Sequence, residues 1–298
     1  MKKFIASLGV TAIAVGMINV VSSPVVLADA QPGDVIVTLG EDLSVAQKNT
    51  VLKDMGVNEN DVQIVYVKNE EEHKYLGKYI PQSQIGTKAI SSAEITLGEK
   101  DTGLVVETNN VNYITDEMYL NSLSTAGVKD AKVYVTAPFS VSGTGALTGI
   151  IKAYEVSSGT KIDESQKQVA NQEMVTTAQL ASNDEIGQEK AVEFMSKVKE
   201  EIAKENPKTE EDVKSIIQKI AIDMNINLTT DQLSQLVDLF GKIKDLHIDW
   251  EKVNKTFDAA KEKWNNFAQS EEGKNIIDSF IAFMKSIWHG ITAVFGSK

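Results

Sequence analysis

The sequence predicts a mixed α+β protein in which an N-terminal α/β domain precedes a C-terminal all-α helical bundle. Three observations lead to this fold class. Short β-branched segments alternate with helical patterns up to about residue 156. A strand-helix-strand pattern occurs twice, at an offset of 71 residues. Beyond residue 159 the strand patterns end and amphipathic helical patterns follow, which places a domain boundary there.

The repeated pattern is built around a helix with recognisable ends. Ser44 is the predicted N-cap of the first helix and Gly56 its stop, and Thr115 and Gly127 stand at the equivalent positions of the second. A hydroxyl side chain caps the first N–H groups of a helix, and glycine adopts the left-handed conformation that ends one. Strands are predicted before and after these helices, at 35–39 and 65–67 in the first copy and at 104–107 and 131–136 in the second. The sequence therefore predicts two duplicated β-α-β units.

Three further elements complete the N-terminal domain. A strand is predicted at 93–97, and a short helix at 69–79 is stopped by Pro81. Another helix, ending near residue 156, follows the glycine-rich stretch at 140–149.

The C-terminal half contains a series of amphipathic patterns. A helix is predicted around 191–202, and two more follow the N-caps Thr209 and Thr229 with apolar stripes at 213–224 and 233–243. A further helical stripe covers 250–267, and a broad apolar stripe covers 276–295. Several amphipathic helices with short links are typical of a helical bundle.

Residues 1–28 are predicted to be a signal peptide. Lys2 and Lys3 precede an apolar run at 4–21, and small residues follow Pro24, so that cleavage is expected after Ala28 or Ala30. A retained membrane anchor is the alternative, because 18 residues is near the lower limit of a membrane span. The predicted organisation is a signal peptide at 1–28, an α/β domain at 29–159 and a helical domain at 160–298. The mature protein is expected to be secreted or held at the cell surface.

The composition excludes several classes of function. The formal net charge is −12 and all 30 basic residues are lysine, so no basic tract is available for nucleic-acid binding. The chain has no cysteine, which removes disulfides and thiolate nucleophiles. Three histidines at 73, 247 and 289 lie far apart in sequence, so neither a metal site nor a cofactor is predicted.

One segment has a pattern that suggests chemistry. Ser142, Gly143, Thr144 and Gly145, here called the glycine-rich loop, lie between a predicted strand and a predicted helix. Backbone N–H groups at such a turn can approach an anion, and the helix N-terminus adds partial positive charge. The loop lacks the Walker lysine, the dinucleotide glycine spacing and the Gly-x-Ser-x-Gly elbow. A capped tight turn without a ligand is the structural alternative.

A second pattern, Ser196-x-x-Lys199, matches the spacing of serine–lysine catalytic pairs. It falls in the middle of a predicted helix among charged residues, and we interpret the match as chance.

Several motifs together carry a family resemblance. The longest is Ala-Pro-Phe-Ser-Val-Ser-Gly-Thr-Gly-Ala-Leu-Thr-Gly at 137–149, and shorter ones lie at 39–44, 75–77, 85–91 and 125–128. With these motifs the chain resembles the YpuA-like exported bacterial proteins, the family of domain of unknown function 1002. The resemblance implies export and an undefined role, and it supplies no reaction, cofactor or catalytic residue.

Two hypotheses of function follow. The first is a non-enzymatic protein that binds a cell-envelope component or another protein outside the cell. The alternative is a secreted, hydrolase-like enzyme that uses Ser142 and Thr144 as an anion or oxyanion site, with His73 or a carboxylate as the base. The apolar stripe at 276–295 is expected to dock onto the preceding helices, and contact with a membrane surface or with the groove of another protein is the alternative.

Overall fold

The computed structural model describes residues 31–246 and residue 248. The predicted signal peptide, both helical stripes beyond residue 249, and His247 and His289 lie outside the described residues.

Five strands and nine helices form the described part of the chain. The strands are β1 (Val35–Gly40), β2 (Gln63–Val67), β3 (Ser92–Leu97), β4 (Leu104–Thr108) and β5 (Ala131–Thr136). The helices are α1 (Val45–Met55), α2 (Asn69–Leu76), α3 (Gln82–Ile85), α4 (Asp116–Ala126), α5 (Ala146–Ser158), α6 (Glu164–Ala181), α7 (Gly187–Glu205), α8 (Glu210–Asp223) and α9 (Thr230–Asp245). The predicted mixed α+β class is confirmed.

The strands form one mixed sheet in the order β2-β1-β3-β5-β4. β1 is parallel to β2, and β4 is parallel to β5. β3 lies between the two parallel pairs and is antiparallel to both of its neighbours. Each parallel pair is joined through one helix, α1 for the first and α4 for the second.

Helices cover the two faces of the sheet unequally. Val37 and Leu39 of β1 pack with Val51 and Leu52 of α1. The opposite face, which includes Ile95, packs in a larger core with residues of α4, α5 and α6. Because successive side chains of a strand point to opposite faces, α1 lies on one side of the sheet while α4 and α5 lie on the other.

Close contact with the sheet fixes the position of α5. A Cβ atom on Gly149 would lie 2.9 Å from Cγ2 of Val67 and 3.0 Å from Oγ1 of Thr38. Only glycine allows the helix to approach β1 and β2 this closely. The start of α5, and with it the glycine-rich loop, is thereby held at the end of the sheet.

Helix α6 joins two hydrophobic cores. Its residues Met174 and Ala178 belong to the core of the sheet, whereas Val169 and Leu180 pack with residues of α7, α8 and α9 in a second core. The sequence pattern does not predict this helix. Its buried residues include many polar ones, namely Lys167, Asn171, Gln172, Glu173, Thr176 and Thr177, so it has no clean apolar stripe.

Element boundaries differ from the predicted ones at α2 and α7. Helix α2 ends at Leu76 rather than near residue 79, because Gly77 is a poor helix former, and α7 covers Gly187–Glu205 rather than about 191–202. Among the described helices, none has both the length and the apolar character needed to cross a bilayer.

Candidate functional site

The glycine-rich loop connects β5 to α5, as the sequence predicts. Gly145 is the residue before the helix, Thr144 is 6% exposed and Ser142 is half-buried. Gly143 has a φ of +87°, and a Cβ at this position would lie 2.5 Å from Cγ1 of Val111 and 2.6 Å from the hydroxyl of Tyr119. Conformation and space therefore both require glycine at residue 143.

Two backbone carbonyls of the loop accept hydrogen bonds from α4 and from the segment before it. The hydroxyl of Tyr119 in α4 donates a hydrogen bond to the carbonyl of Gly143. The N–H of Ile114 donates to the carbonyl of Ser142 at 3.1 Å, and the Ser142 and Thr144 hydroxyls lie 3.3 Å apart. Burial raises the pKa of Tyr119, which keeps this hydroxyl protonated as a donor.

A buried carboxyl group from α2 lies against this loop. Glu72 is 4% exposed, and a Cβ on Gly145 would lie only 2.2 Å from its Oε1 atom. Asn69 donates a hydrogen bond to Oε2 of Glu72 at 3.2 Å. The Glu72 carboxyl therefore sits beside the first turn of α5, where the partial positive charge of a helix attracts anions.

Glu72 also has an unusual protonation equilibrium. Burial raises its pKa to about 7, and the charges of Asp42 and Glu71 act in the same direction, against the hydrogen bond from Asn69. Within the described residues, no ion pair involves Glu72. The group therefore exchanges a proton near neutral pH, next to the loop that the sequence singles out.

The sequence pattern does not distinguish Glu72 from the neighbouring acids of the first turn of α2. A usable signal exists in the helical phase, since Tyr75 and Leu76, three and four residues later, are buried on the same face. His73, the other base considered for the loop, lies with its Nε2 atom 2.9 Å from the carbonyl oxygen of Gly86.

Lys199 and its neighbours form a second buried polar cluster. The Nζ atom of Lys199 lies 2.7 Å from Oε1 of Glu173 in α6, and the side chains of Lys199 and Glu173 are 2% and 0% exposed. Lys199 also donates to the carbonyl of Asn121 at 3.1 Å and to the hydroxyl of Thr125 at 3.3 Å, while the Thr125 hydroxyl donates to Glu173. The cluster joins α4, α6 and α7. Ser196 bonds to Asn121 at 3.2 Å rather than to Lys199, so the structure does not assemble a serine–lysine pair.

A groove lies on the surface where α9, α6 and the segment after α2 meet. Its volume is about 340 Å³. The lining residues are Lys78, Tyr79, Gln172, Val175, Thr176, Gln179, Ser234, Gln235 and Asp238. Seven of the nine are polar or charged. Within the described residues, no three histidine, aspartate or glutamate side chains are grouped to hold a metal ion.

These features define an α+β protein with a closed glycine-rich junction and an open polar groove. The chain belongs to the family described as protein of unknown function, DUF1002, whose profile matches residues 39–260. It is similar to the uncharacterised protein YpuA of Bacillus subtilis strain 168, with 55% identity over 270 residues that cover 90% of this chain and 92% of the relative. No solved structure matches the chain significantly. The family that the sequence motifs indicate is confirmed.

Proposed function

We propose that the protein is an exported, non-enzymatic binding protein that contacts a cell-envelope component or another extracellular protein. One observation carries this proposal: the buried carboxyl group of Glu72 lies against the glycine-rich loop, where an anion or oxyanion would have to bind. The carbonyls of Ser142 and Gly143 accept hydrogen bonds from Ile114 and Tyr119, and Glu72 lies beside Gly145. A negatively charged ligand at the start of α5 would have to approach the carboxyl of Glu72. The open groove, whose lining combines polar and apolar surface, is the surface that we propose for a ligand.

The features of residues 1–28 support export. We also propose the division into a domain at 29–159 and a helical domain at 160–298. The second core, in which α7, α8 and α9 pack together, supports a helical unit, whereas most buried apolar residues of α6 pack in the core of the sheet.

The two parallel strand-helix-strand segments are proposed to be copies of one ancestral segment. Ser44 and Thr115 cap α1 and α4 in the same way, and Gly56 and Gly127 end them in the same left-handed conformation. Helices α1 and α4 lie on opposite faces of the sheet. The proposed copies therefore share their local strand-helix-strand structure but pack differently against the rest of the protein.

A photo-crosslinking experiment in intact cells tests the binding function. A photoreactive side chain in place of Gln235 lies in the groove, and one in place of Gln218, an exposed glutamine of α8, is the matched control. We expect a discrete adduct with an envelope or extracellular component at position 235 and none at 218. Equal patterns at the two positions would contradict the groove as the binding surface.

An enzymatic role is the second candidate, because the structure brings a carboxyl group with a pKa near 7 to the loop. Glu72 would then act as the proton acceptor that the Ser142 and Thr144 hydroxyls need. Ser142→Ala and Thr144→Val test this role. A folded variant that loses a cellular phenotype of the protein favours the enzyme, and a folded variant that keeps the phenotype excludes it. Gly143→Val is expected to unfold the protein, and such unfolding would indicate that the turn at this residue has a structural role.

Contact with a membrane surface through residues 274–295 is a further proposal. It rests on the broad apolar stripe of that segment, which lies outside the described residues. Flotation of the full-length protein with liposomes, compared with a protein that ends before Lys274, tests it. Equal flotation of the two proteins would exclude this contact.

A further inference from the structure

We propose that the groove between α6, α9 and the segment after α2 binds a neutral, polyhydroxylated ligand, a short segment of a glycan. This inference rests on the proposed binding function and specifies its ligand class. It is independent of the glycine-rich loop.

Two helices present polar stripes to the same groove. Gln172, Thr176 and Gln179 follow one another at four- and three-residue spacing, so they lie on one face of α6. Ser234 and Asp238 are four residues apart and lie on one face of α9. Amide and hydroxyl groups both donate and accept hydrogen bonds. The groove can therefore satisfy ligand hydroxyl groups, which also do both.

Part of this polar lining is already held in place. Gln172 donates a hydrogen bond to Asp238 at 2.8 Å and accepts one from Lys242 at 3.0 Å. Lys242 also lies 2.6 Å from Asp238. Fixed polar groups lose little conformational freedom when a ligand binds.

Other lining groups are available to a ligand. Within the described part of the chain, the side chains of Ser234 and Gln235 make no hydrogen bond, whereas Thr176 is only 6% exposed. Ser234 and Gln235 are exposed.

The charges at and around the groove are few. Lys78 and Asp238 are the two charged residues of the lining. Lys242 lies beside Asp238 and neutralises it, so Lys78 is left as a single positive charge among the described lining residues. The whole chain carries a net charge of −12, which repels an anion at long range. Asp238 is already paired, which leaves a cationic ligand no free carboxylate here. A neutral ligand fits this balance best.

Tyr79 lies at the side of the groove and also packs against the core of the sheet. Its ring is half-buried, and burial raises the pKa of its hydroxyl, with the charge of Asp238 adding to the effect. The hydroxyl thus stays neutral, and the ring combines an apolar face with a polar tip. Sugar rings have the complementary character, with C–H groups on their faces and hydroxyls at their edges. The groove volume of about 340 Å³ is within the range of small-ligand sites.

Titration of the full mature chain with defined tetrasaccharides tests this inference. The neutral probes are chitotetraose, cellotetraose and maltotetraose, and tetragalacturonate is the acidic comparison. We expect at least one neutral probe to bind with little dependence on salt. Gln235→Ala should weaken that binding about tenfold, the cost of losing a hydrogen bond to the ligand. Gln218→Ala, at an exposed glutamine of α8, should leave it unchanged.

Three results would overturn the glycan site: no neutral probe binds, Gln235→Ala binds as the unchanged protein does, or tetragalacturonate binds more tightly in a salt-dependent manner. Failure of this inference can be told apart from failure of the proposed function. A protein partner crosslinked at position 235 without saccharide binding leaves the binding function intact and removes the glycan. Recovery of the protein from the cytosol with Met1 in place removes the export proposal even where a saccharide binds.

Discussion

The ammonium group of Lys199 lies 2.7 Å from the carboxylate of Glu173, and both side chains are almost completely excluded from solvent. The pair connects α7 to α6, the helix that belongs to both hydrophobic cores. Lys199 also donates hydrogen bonds to Asn121 and Thr125 of α4, and Thr125 donates one to Glu173. One polar cluster thus links the sheet side of the protein to its helical side.

Removal of one partner of this pair is expected to destabilise the protein strongly. Lys199→Met leaves Glu173 buried without its cation, which should lower the free energy of unfolding by about 3–5 kcal/mol. Lys199→Met combined with Glu173→Met should recover much of this loss, because no buried charge remains. Urea unfolding at pH 7 measures both effects.

The matched control is Lys197→Met on the same helix. Lys197 pairs with Glu193 at 2.8 Å, but both side chains are about half exposed, so a loss of about 0.5 kcal/mol or less is expected. Similar losses for Lys197→Met and Lys199→Met would contradict a structural role for the buried cluster.

Gly145→Ala is expected to destabilise the junction between β5 and α5. The new Cβ would lie 2.2 Å from Oε1 and 2.4 Å from Cδ of Glu72. Displacing this buried carboxyl should cost about 1–3 kcal/mol in thermal or urea unfolding. The same substitution combined with Glu72→Ala should cost much less than the sum of the two single changes, because the clash is gone.

Gly241→Ala in α9 is the glycine control. A Cβ there has no atom within 4 Å, and alanine favours a helix over glycine by about 0.5–1 kcal/mol. This change should therefore stabilise the protein. If Gly145→Ala also stabilises it, Glu72 does not occupy the position described.

Glu72 is expected to make stability depend on pH. Burial raises its pKa from 4.5 to about 7 in the folded chain, so the folded state binds the proton more tightly than the unfolded state. The contribution of Glu72 to the free energy of unfolding therefore falls as pH rises from about 4.5 to about 7, and is constant above that range. The glutamine in Glu72→Gln cannot titrate, so the variant lacks this loss of stability. The free energy of unfolding of the variant minus that of the wild-type protein should therefore increase by about 3 kcal/mol between pH 4.5 and pH 8.

Urea unfolding of both proteins at the two pH values measures this difference. Glu70→Gln, at an exposed position on the same turn of α2, is the matched control. If the difference in the free energy of unfolding between Glu72→Gln and the wild-type protein is the same at both pH values, the surroundings of Glu72 do not shift its pKa.

Local capping chemistry explains why most elements could be predicted from the sequence. The predicted N-caps Ser44, Thr115, Thr209 and Thr229 each accept a hydrogen bond from the N–H three residues later. The five strands likewise lie where β-branched residues predict them. These signals act between neighbours in sequence, and a single sequence contains them in full.

The functional features depend on contacts between distant segments, and the sequence does not reveal those. Helix α6 carries Gln172 and Glu173 on buried positions because α4, α7 and α9 supply partners for polar side chains. Lys199 is also buried, although its charged neighbours in the sequence predict a solvent-exposed position. Glu72 approaches Gly145 across 73 residues of chain. The groove exists only once α9 is packed beside α6.

Asp54 is expected to control the ionisation of Tyr134. Its carboxylate accepts hydrogen bonds from Tyr134 at 3.0 Å, Thr136 at 2.6 Å and Asn109 at 3.1 Å. Burial alone would raise the pKa of Asp54, but these hydrogen bonds outweigh it and lower the pKa. Burial raises the pKa of Tyr134 to about 12, with help from Asp54.

Asp54→Asn removes the negative charge with little change of shape, so the pKa of Tyr134 should fall from about 12 towards 10 without reaching it. Ultraviolet titration of the tyrosines, compared with Asp61→Asn at an exposed position, measures the shift. An identical titration of the two variants would contradict the hydrogen bond between Asp54 and Tyr134.

The mature N-terminus, read from protein recovered outside the cytoplasm, tests the proposed exported binding function most directly. Export with cleavage predicts a first residue of Asp29 or Gln31 in the cell-surface or culture fraction. Recovery in the cytosol, with Met1 or Lys2 still at the N-terminus, would contradict it.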